Sequence, residues 1–287
     1  MNKKRLGQHF LISRNVSEKI IQFAGIQPDD TVIEIGPGKG ALTSALVETG
    51  AHIIAVELDS YLCGLLHEKY SATQTITILN EDILSLSLQE LTQQYALRNR
   101  KIILMGNIPF SISSPLLNML IEEHQCIHYA VLMFQKEFAD RLLATADESA
   151  YGKLSVIVDL YFERSFGLNV KRTMFHPPPH IDASVIKLTP KNRFTIPVLE
   201  SETGNFKEFL VSCFAHKRKT LINSLFASFS RTTVTISKDE LAKALQEIQL
   251  AAGIRAEQMN LEQFWMLFSR LKHIIITHSA VFNQESR

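Results

Sequence analysis

An open, Rossmann-like α/β sheet followed by a small all-helical domain is the fold class that three observations predict. Short apolar runs rich in β-branched residues alternate with helix-like stretches as far as Leu188, the pattern of buried parallel strands joined by crossover helices. The first of these runs ends in Gly36-Pro-Gly-Lys-Gly40, a tight glycine loop that leads directly into a helical pattern. Beyond a linker formed by Thr189-Pro-Lys-Asn-Arg193 and Pro197, only apolar residues at helical spacing remain. The expected domains are residues 1–192 and 193–287.

Size and composition bound the function. A chain of 287 residues buries a sizeable core, and 46% hydrophobic with 21% charged residues excludes a disordered or fibrous protein. The formal net charge is +1, so a nucleic-acid partner has to be held by local basic clusters rather than by bulk attraction. Cys63, Cys126 and Cys213 are odd in number and scattered, which suggests neither a disulfide framework nor a zinc site and fits a reducing cytoplasm. His124 and His128 have i, i+4 spacing but straddle a helix end and a strand start, so no metal is expected there. Met1-Asn-Lys-Lys-Arg5 has the charge of a signal-peptide start, but Gln8, His9, Ser13 and Arg14 interrupt any apolar core. No run approaches transmembrane length, and no membrane partner is expected.

Taken in order, a helix from Val16 to Ala24 ends at Gly25, and Pro28-Asp-Asp30 is a turn. Thr31–Ile35 is the first strand, and the helix after the glycine loop runs from Ala41 to Val47. The glycines let a ligand approach the backbone, and the helix amino terminus favours a negative group. His52–Val56 is the second strand and ends in Glu57-Leu-Asp59, an acid about 20 residues beyond the loop and placed for ribose hydroxyls. The glycines fall at 36, 38 and 40 and not as G-x-G-x-x-G, so the spacing leans against NAD. A glycine turn with an incidental acid is the competing reading of these two features alone. Asp82 follows a strand over Thr75–Leu79 and is placed to accept from the amino group of an adenine. Lys101–Met105 is a further buried strand, and Asn107-Ile108-Pro109-Phe110 stands at its carboxyl end, where open α/β sheets collect ligands. The Asn107 amide oxygen and the Ile108 carbonyl are acceptors for a flat amine, Pro109 stiffens the turn, and Phe110 offers a face for stacking. Asn and Pro after a strand also make an ordinary turn. Four such features at four strand ends, in chain order, favour the chemical reading.

Ser113–Ile121 is a helix, His128–Phe134 a strand, and Phe138, Leu142 and Leu143 mark another helix. Phe175-His-Pro-Pro-Pro-His180 cannot be helical; it is a stiff connector into a strand over Ala183–Leu188. In the carboxyl-terminal part Phe206, Phe209, Leu210 and Cys213 form one helical stripe, and Leu221, Leu225 and Phe229 form a second. Ser237 with Glu240 is a capping box before Leu241 and Leu245, and Leu261, Phe264, Trp265 and Phe268 supply a last helix. His216-Lys217-Arg218-Lys219 is the one dense basic run, either a solvated face or, with Lys3, Lys4, Arg5, Lys171 and Arg172, a grip on phosphates.

These residues carry a family resemblance. E-I-G-P-G-K-G from Glu34, V-E-L-D from Val56, N-E-D-I from Asn80 and G-N-I-P-F from Gly106 resemble the ribosomal RNA adenine N6-dimethyltransferases, which use S-adenosylmethionine (SAM) and release S-adenosylhomocysteine. The resemblance extends to K-R-L-G-Q-H-F-L from Lys4, Y-G-K-L-S-V from Tyr151, F-H-P-P-P-H-I-D-A-S-V from Phe175 and F-A-H-K-R-K-T-L-I-N-S-L from Phe214, nearly the whole chain. The last two motifs are similar to the small-subunit branch of the family more than to the large-subunit branch.

The resemblance implies a SAM-dependent methyltransferase sheet and a helical RNA-binding domain. It implies that His9 and Leu11 touch the methionine end of SAM, that Gly36 forms the pocket floor, that Glu57 binds the ribose and Asp82 the adenine, and that Asn107 lies where both substrates meet; Gly38 of the same glycine loop is expected to border the cofactor as well. Many relatives have Asn where this chain has His9. Phe175 is implied to face the target adenine opposite Phe110; that Lys217, Arg218 and Lys219 with Lys3, Lys4 and Arg5 bind RNA is an expectation from the basic run itself, against the alternative of a solvated face. The implied function is dimethylation of two neighbouring adenosines near the 3′ end of small-subunit ribosomal RNA by a cytoplasmic monomer with a role in subunit maturation. The rivals are the same chemistry on large-subunit RNA, a non-catalytic nucleic-acid-binding factor on this fold, and a dehydrogenase.

Overall fold

The structure, a computed structural model, describes residues 9–95, 102–230 and 236–282. Lys3, Lys4 and Arg5 lie outside the described residues. The chain forms two compact units that do not follow a single cut: Met1–Asp140 with Phe162–Lys191, and Arg141–Tyr161 with Asn192–Arg287.

The first unit opens with a two-residue strand β1 (Phe10–Leu11) and helix α1 (Arg14–Ala24). Ser13 caps α1 by accepting from the Val16 N–H, and Gly25, at φ 72°, closes it with its own N–H on the Ile21 carbonyl. Then follow β2 (Thr31–Ile35), α2 (Ala41–Val47), β3 (His52–Val56), α3 (Ser60–Lys69), β4 (Ile76–Leu79), α4 (Leu88–Gln94), β5 (Ile102–Asn107), α5 (Ser113–Glu122) and β6 (Tyr129–Gln135). The chain continues through α6 (Lys136–Leu143), α7 (Lys153–Tyr161), β7 (Phe162–Val170), β8 (Phe175–His176) and β9 (Ala183–Pro190).

Seven strands form one sheet in the order β4-β3-β2-β5-β6-β9-β7, and β1 pairs with β8 in a separate antiparallel ladder. The five strands from β4 to β6 are parallel, whereas β9 runs antiparallel to both β6 and β7. All five residues of β2 are buried, as a central parallel strand with both faces covered requires. Val32, Ile53, Ile103, Met105 and Val131 face the apolar sides of α1 and α2 through Ile20, Ala24, Leu42 and Leu46. Alternation puts Ile33, Ile35, Ile54 and Leu104 on the opposite face, also buried. The chain leaves β2 outward to β3 and β4, then crosses back to β5 on its other side. This places the topological switch point, where such sheets bind ligands, between β2 and β5.

The second unit holds α8 (Thr203–Phe214), α9 (Leu221–Phe229), α10 (Lys238–Glu247) and α11 (Leu261–Phe282) with α7. Its core is aromatic: Phe206, Phe209, Phe264 and Phe268 are fully buried, and Phe206 meets Trp265 edge-on with ring centroids 5.5 Å apart. The capping box at Ser237 and Glu240 forms with both reciprocal bonds. Tyr151 and Ser155 of the Y-G-K-L-S-V motif brace this unit, the tyrosine hydroxyl on the Met259 carbonyl at 2.7 Å and the serine hydroxyl on the Arg141 carbonyl at 2.6 Å. No helix among the described residues is long and apolar enough to cross a membrane.

Candidate active site

A cavity of about 440 Å³ opens at the carboxyl ends of β2 to β5, a volume in the range of cofactor pockets. Gly36, Gly38, Glu57 and Asp82 line one side of it, and Asn107, Ile108, Pro109 and Phe110 another. His9, Leu11 and Phe175 close it from β1 and β8. The fold therefore brings together every residue of the expected cofactor and transfer sites.

The glycine loop needs its glycines. Gly38 has φ 59°, and a Cβ there would stand 2.9 Å from the Phe10 ring. Its N–H donates to Oε2 of Glu57 at 2.9 Å, while the Asp59 N–H donates to Oε1 at 2.9 Å. Glu57 is only 3% exposed, so its carboxylate is held in one orientation by two backbone amides. Each oxygen keeps a second lone pair for hydroxyl donors. Asp59 in turn caps α3, and the Asn80 side chain donates to the Glu57 carbonyl at 2.9 Å, tying the ends of β3 and β4 together. Asp82 accepts from the Leu84 N–H through Oδ1 at 3.0 Å, and its Oδ2 has no partner among the described residues.

Glu34 belongs to this site, although the sequence motifs assign it no role. It lies on β2, is 1% exposed, lines the cavity, and its Oε2 has no partner among the described residues. Burial pushes its carboxyl up to about 7, and the nearby Glu57 carboxylate adds to the rise. The one available signal was a charged residue inside an otherwise apolar buried strand, Thr31-Val-Ile-Glu-Ile35.

On the transfer side, β5 approaches β2 so closely at Gly106 that a Cβ would stand 2.6 Å from the Ile35 carbonyl. The next residue, Asn107, donates from Nδ2 to the His9 carbonyl at 2.9 Å. A carbonyl can only accept, so this bond fixes which branch of the amide is nitrogen and leaves Oδ1 as the acceptor at the cavity. The Ile108 N–H is used on the Met133 carbonyl at 3.0 Å, and the Pro109 carbonyl is used by the Ile112 N–H at 3.0 Å. The Ile108 carbonyl has no hydrogen-bond partner among the described residues. Phe110 is half-buried at the rim, and Phe175 is 4% exposed. Lys217, Arg218 and Lys219 are exposed in the second unit, in a turn before α9.

A glycine-lined, cofactor-sized cavity at the switch point of a Rossmann-like sheet, with N-I-P-F at the next strand end, defines a SAM-dependent methyltransferase. The sequence model of the family described as "Ribosomal RNA adenine dimethylase" matches residues 1–267. A protein of Streptococcus pneumoniae strain P1031 named "Ribosomal RNA small subunit methyltransferase A" is 38% identical over 272 residues, covering 94% of this chain and 92% of its own. One of the same name from Lactococcus lactis is 37% identical over 270 residues, covering 94% and 90%. Among solved structures, a dimethyladenosine transferase from Plasmodium falciparum has a TM-score of 0.75 at 27% identity, covering 93% of this chain and 98% of that one. The 23S rRNA methyltransferase ErmE has a TM-score of 0.69 at 25% identity, covering 92% and 99%. The chain belongs to the ribosomal RNA adenine dimethylase family.

Proposed function

We propose that this chain transfers two methyl groups to N6 of adenosine in small-subunit ribosomal RNA, acting on two neighbouring adenosines near its 3′ end as a cytoplasmic monomer with a role in subunit maturation. When bound, SAM would supply a sulfonium methyl to the N6 lone pair, the C–S electron pair going to sulfur and the surplus amine proton to solvent. Glu57 would hold the ribose through the lone pairs that Gly38 and Asp59 leave free, and Asp82 would accept from the cofactor's adenine amine. Glu34, with Oε2 unpartnered, is available to the cationic amino end beside His9 and Leu11.

Asn107 Oδ1 and the Ile108 carbonyl hold the two hydrogens of the target amine. That grip favours a pyramidal nitrogen and directs its lone pair into the pocket. It also stabilises positive charge developing on N6, so positioning and electrostatics suffice without a strong base. Phe110 and Phe175 clamp the ring; stacking of about 1 to 3 kcal/mol per base offsets part of the few kcal/mol of extruding it. Lys217, Arg218 and Lys219, with Lys3, Lys4 and Arg5, hold phosphates.

The observation that carries this reading is the fixed orientation of Asn107, its oxygen left as an acceptor in the same cavity as Glu57 and Asp82. The likeness to ErmE favours one second reading, methylation of large-subunit RNA. Incubating the chain and SAM with unmethylated small and large subunits, then analysing the RNA by mass spectrometry, separates the two. Dimethyladenosine in the small-subunit RNA is the expected product; label confined to the large subunit, or none, would overturn the proposal.

A further inference from the structure

The side chain of His9 has a place in the structure that touching a cofactor does not explain. Its Nδ1 lies 2.7 Å from the Pro177 carbonyl. Because that carbonyl only accepts, Nδ1 carries the proton and donates. The same residue's backbone carbonyl receives Nδ2 of Asn107 at 2.9 Å. Its ring stands 5.7 Å from that of Phe110 at an interplanar angle of 36°. One residue thus joins the acceptor amide, the stacking ring of the N-I-P-F turn and the proline loop that follows Phe175. Residues 9–11 form a strap across the cavity, held otherwise by a ladder two residues long, Phe10 opposite His176 and Leu11 opposite Phe175. The Ile12 N–H on the Met174 carbonyl at 2.9 Å extends it. So short a ladder leaves the register of loop and amide to side-chain bonds.

We infer that His9 is a positioning residue for the second methyl transfer: by fastening the strap to the Pro177 loop, it sets the point at which Asn107 Oδ1 meets the acceptor nitrogen. In the first transfer the amine has two hydrogens and two acceptors, Oδ1 and the Ile108 carbonyl, so either one partly corrects a misplacement of the other. After one methyl is added a single hydrogen remains, and one acceptor alone fixes the nitrogen. Misplacing Oδ1 therefore penalises the second transfer more than the first, and both more than cofactor binding.

This inference rests on the methyl-transfer reading, and the experiment keeps the two apart. The full chain and its variants His9→Asn, His9→Phe and His9→Ala are incubated with unmethylated small subunits and SAM. The ratio of monomethyl- to dimethyladenosine is read by mass spectrometry and SAM affinity by calorimetry. His9→Phe keeps a ring beside Phe110 but no donor, so at saturating SAM, where a lost cofactor contact does not enter the ratio, it should raise the monomethyl share about tenfold, as His9→Ala should. His9→Asn keeps an N–H in reach of the Pro177 carbonyl and should restore the original ratio. A His9→Phe variant with the parent ratio, or SAM affinity falling in step with turnover while the ratio stays fixed, would overturn the inference. A parent chain that yields neither product would overturn the methyl-transfer reading and this inference with it.

Discussion

Two walls of one cavity are built in opposite ways. On the cofactor wall the Glu57 carboxylate is buried and both oxygens are held by backbone amides of strand ends and a glycine loop. On the transfer wall Asn107 is half-buried and held by one bond to a strap. The carboxylate of the first wall is held by strand ends and the glycine loop, and the strap meets that wall only through packing, Phe10 lying against Gly38. The second is assembled from three pieces of chain far apart in sequence: residues 9–11, 107–110 and 175–179. If the proposed roles hold, cofactor affinity and transfer rate should be separable here, since the groups assigned to each are anchored to different parts of the fold.

Asn107 tests the separation directly. Asn107→Ala removes the oriented acceptor and should lower turnover by about 10²- to 10³-fold, the cost of deleting one pre-aimed hydrogen-bonding group from a transition-state site. SAM affinity, measured by calorimetry, should move little. Equal losses in both would make Asn107 a cofactor ligand and erase the distinction between the walls.

Glu34 adds a pH dependence to the cofactor wall. Its carboxyl is raised from an ordinary 4.5 to about 7 by burial. The folded protein therefore holds that proton more tightly than the unfolded chain. Below pH 4.5 both states are protonated and the carboxyl costs nothing; between there and about 7 the unfolded chain ionises first, and stability declines as pH rises. Above 7 the full cost applies, about 3 kcal/mol at 1.4 kcal/mol per factor of ten in proton affinity. Glu34→Gln should remove that decline, so urea unfolding should find the variant gaining on the parent between pH 5 and pH 8. Parallel stability curves would show that Glu34 ionises no differently when folded. Saturating SAM should flatten the parent's curve if its amino group meets Oε2.

Glu57→Gln probes the same wall from its ribose end. It replaces a charged acceptor by one neutral oxygen and an amide donor facing two N–H groups. A weakening of SAM binding by about 1.5 to 3 kcal/mol is expected, the worth of hydrogen bonds to a charged group. The monomethyl to dimethyl ratio should stay put at saturating SAM. A shift in that ratio would mean that the walls communicate.

How much of the molecule is legible in its sequence follows the same division. The strands β2, β3 and β5 and the acids after them can be read because buried parallel strands are short continuous apolar runs and their ligands sit at their ends. The pairing of β1 with β8 cannot, since two residues carry no periodicity and their partners, His176 and Phe175, lie at the far end of the same unit. Helix α3 escapes because Tyr61 and Leu65 are exposed, which blurs its apolar stripe. Strand β7 escapes because its register slips between Phe166 and Leu168, where Gly167 makes room for the Phe23 ring of α1. The two-unit division is half legible: the linker near 192 has a compositional signal, but α7 is an apolar helix that looks the same in either unit.

The basic loop belongs to neither wall and so serves as a control on the contrast between them. The loop His216–Lys219 is held within the helical unit by the Arg255 guanidinium on the Lys217 carbonyl and by the Leu221 N–H on the Ile254 carbonyl at 2.8 Å. The side chains of Lys217, Arg218 and Lys219 are exposed, and such charges position a phosphate backbone without reading sequence. Replacing all three by Ala should leave SAM affinity and the product ratio unchanged. It should weaken RNA binding at low salt and lower the slope of log affinity against log salt by about one for each phosphate no longer neutralised. An unchanged slope would return the loop to the status of a solvated face. A changed product ratio would mean that grip on the RNA, and not the Asn107 wall alone, decides where the acceptor nitrogen comes to rest.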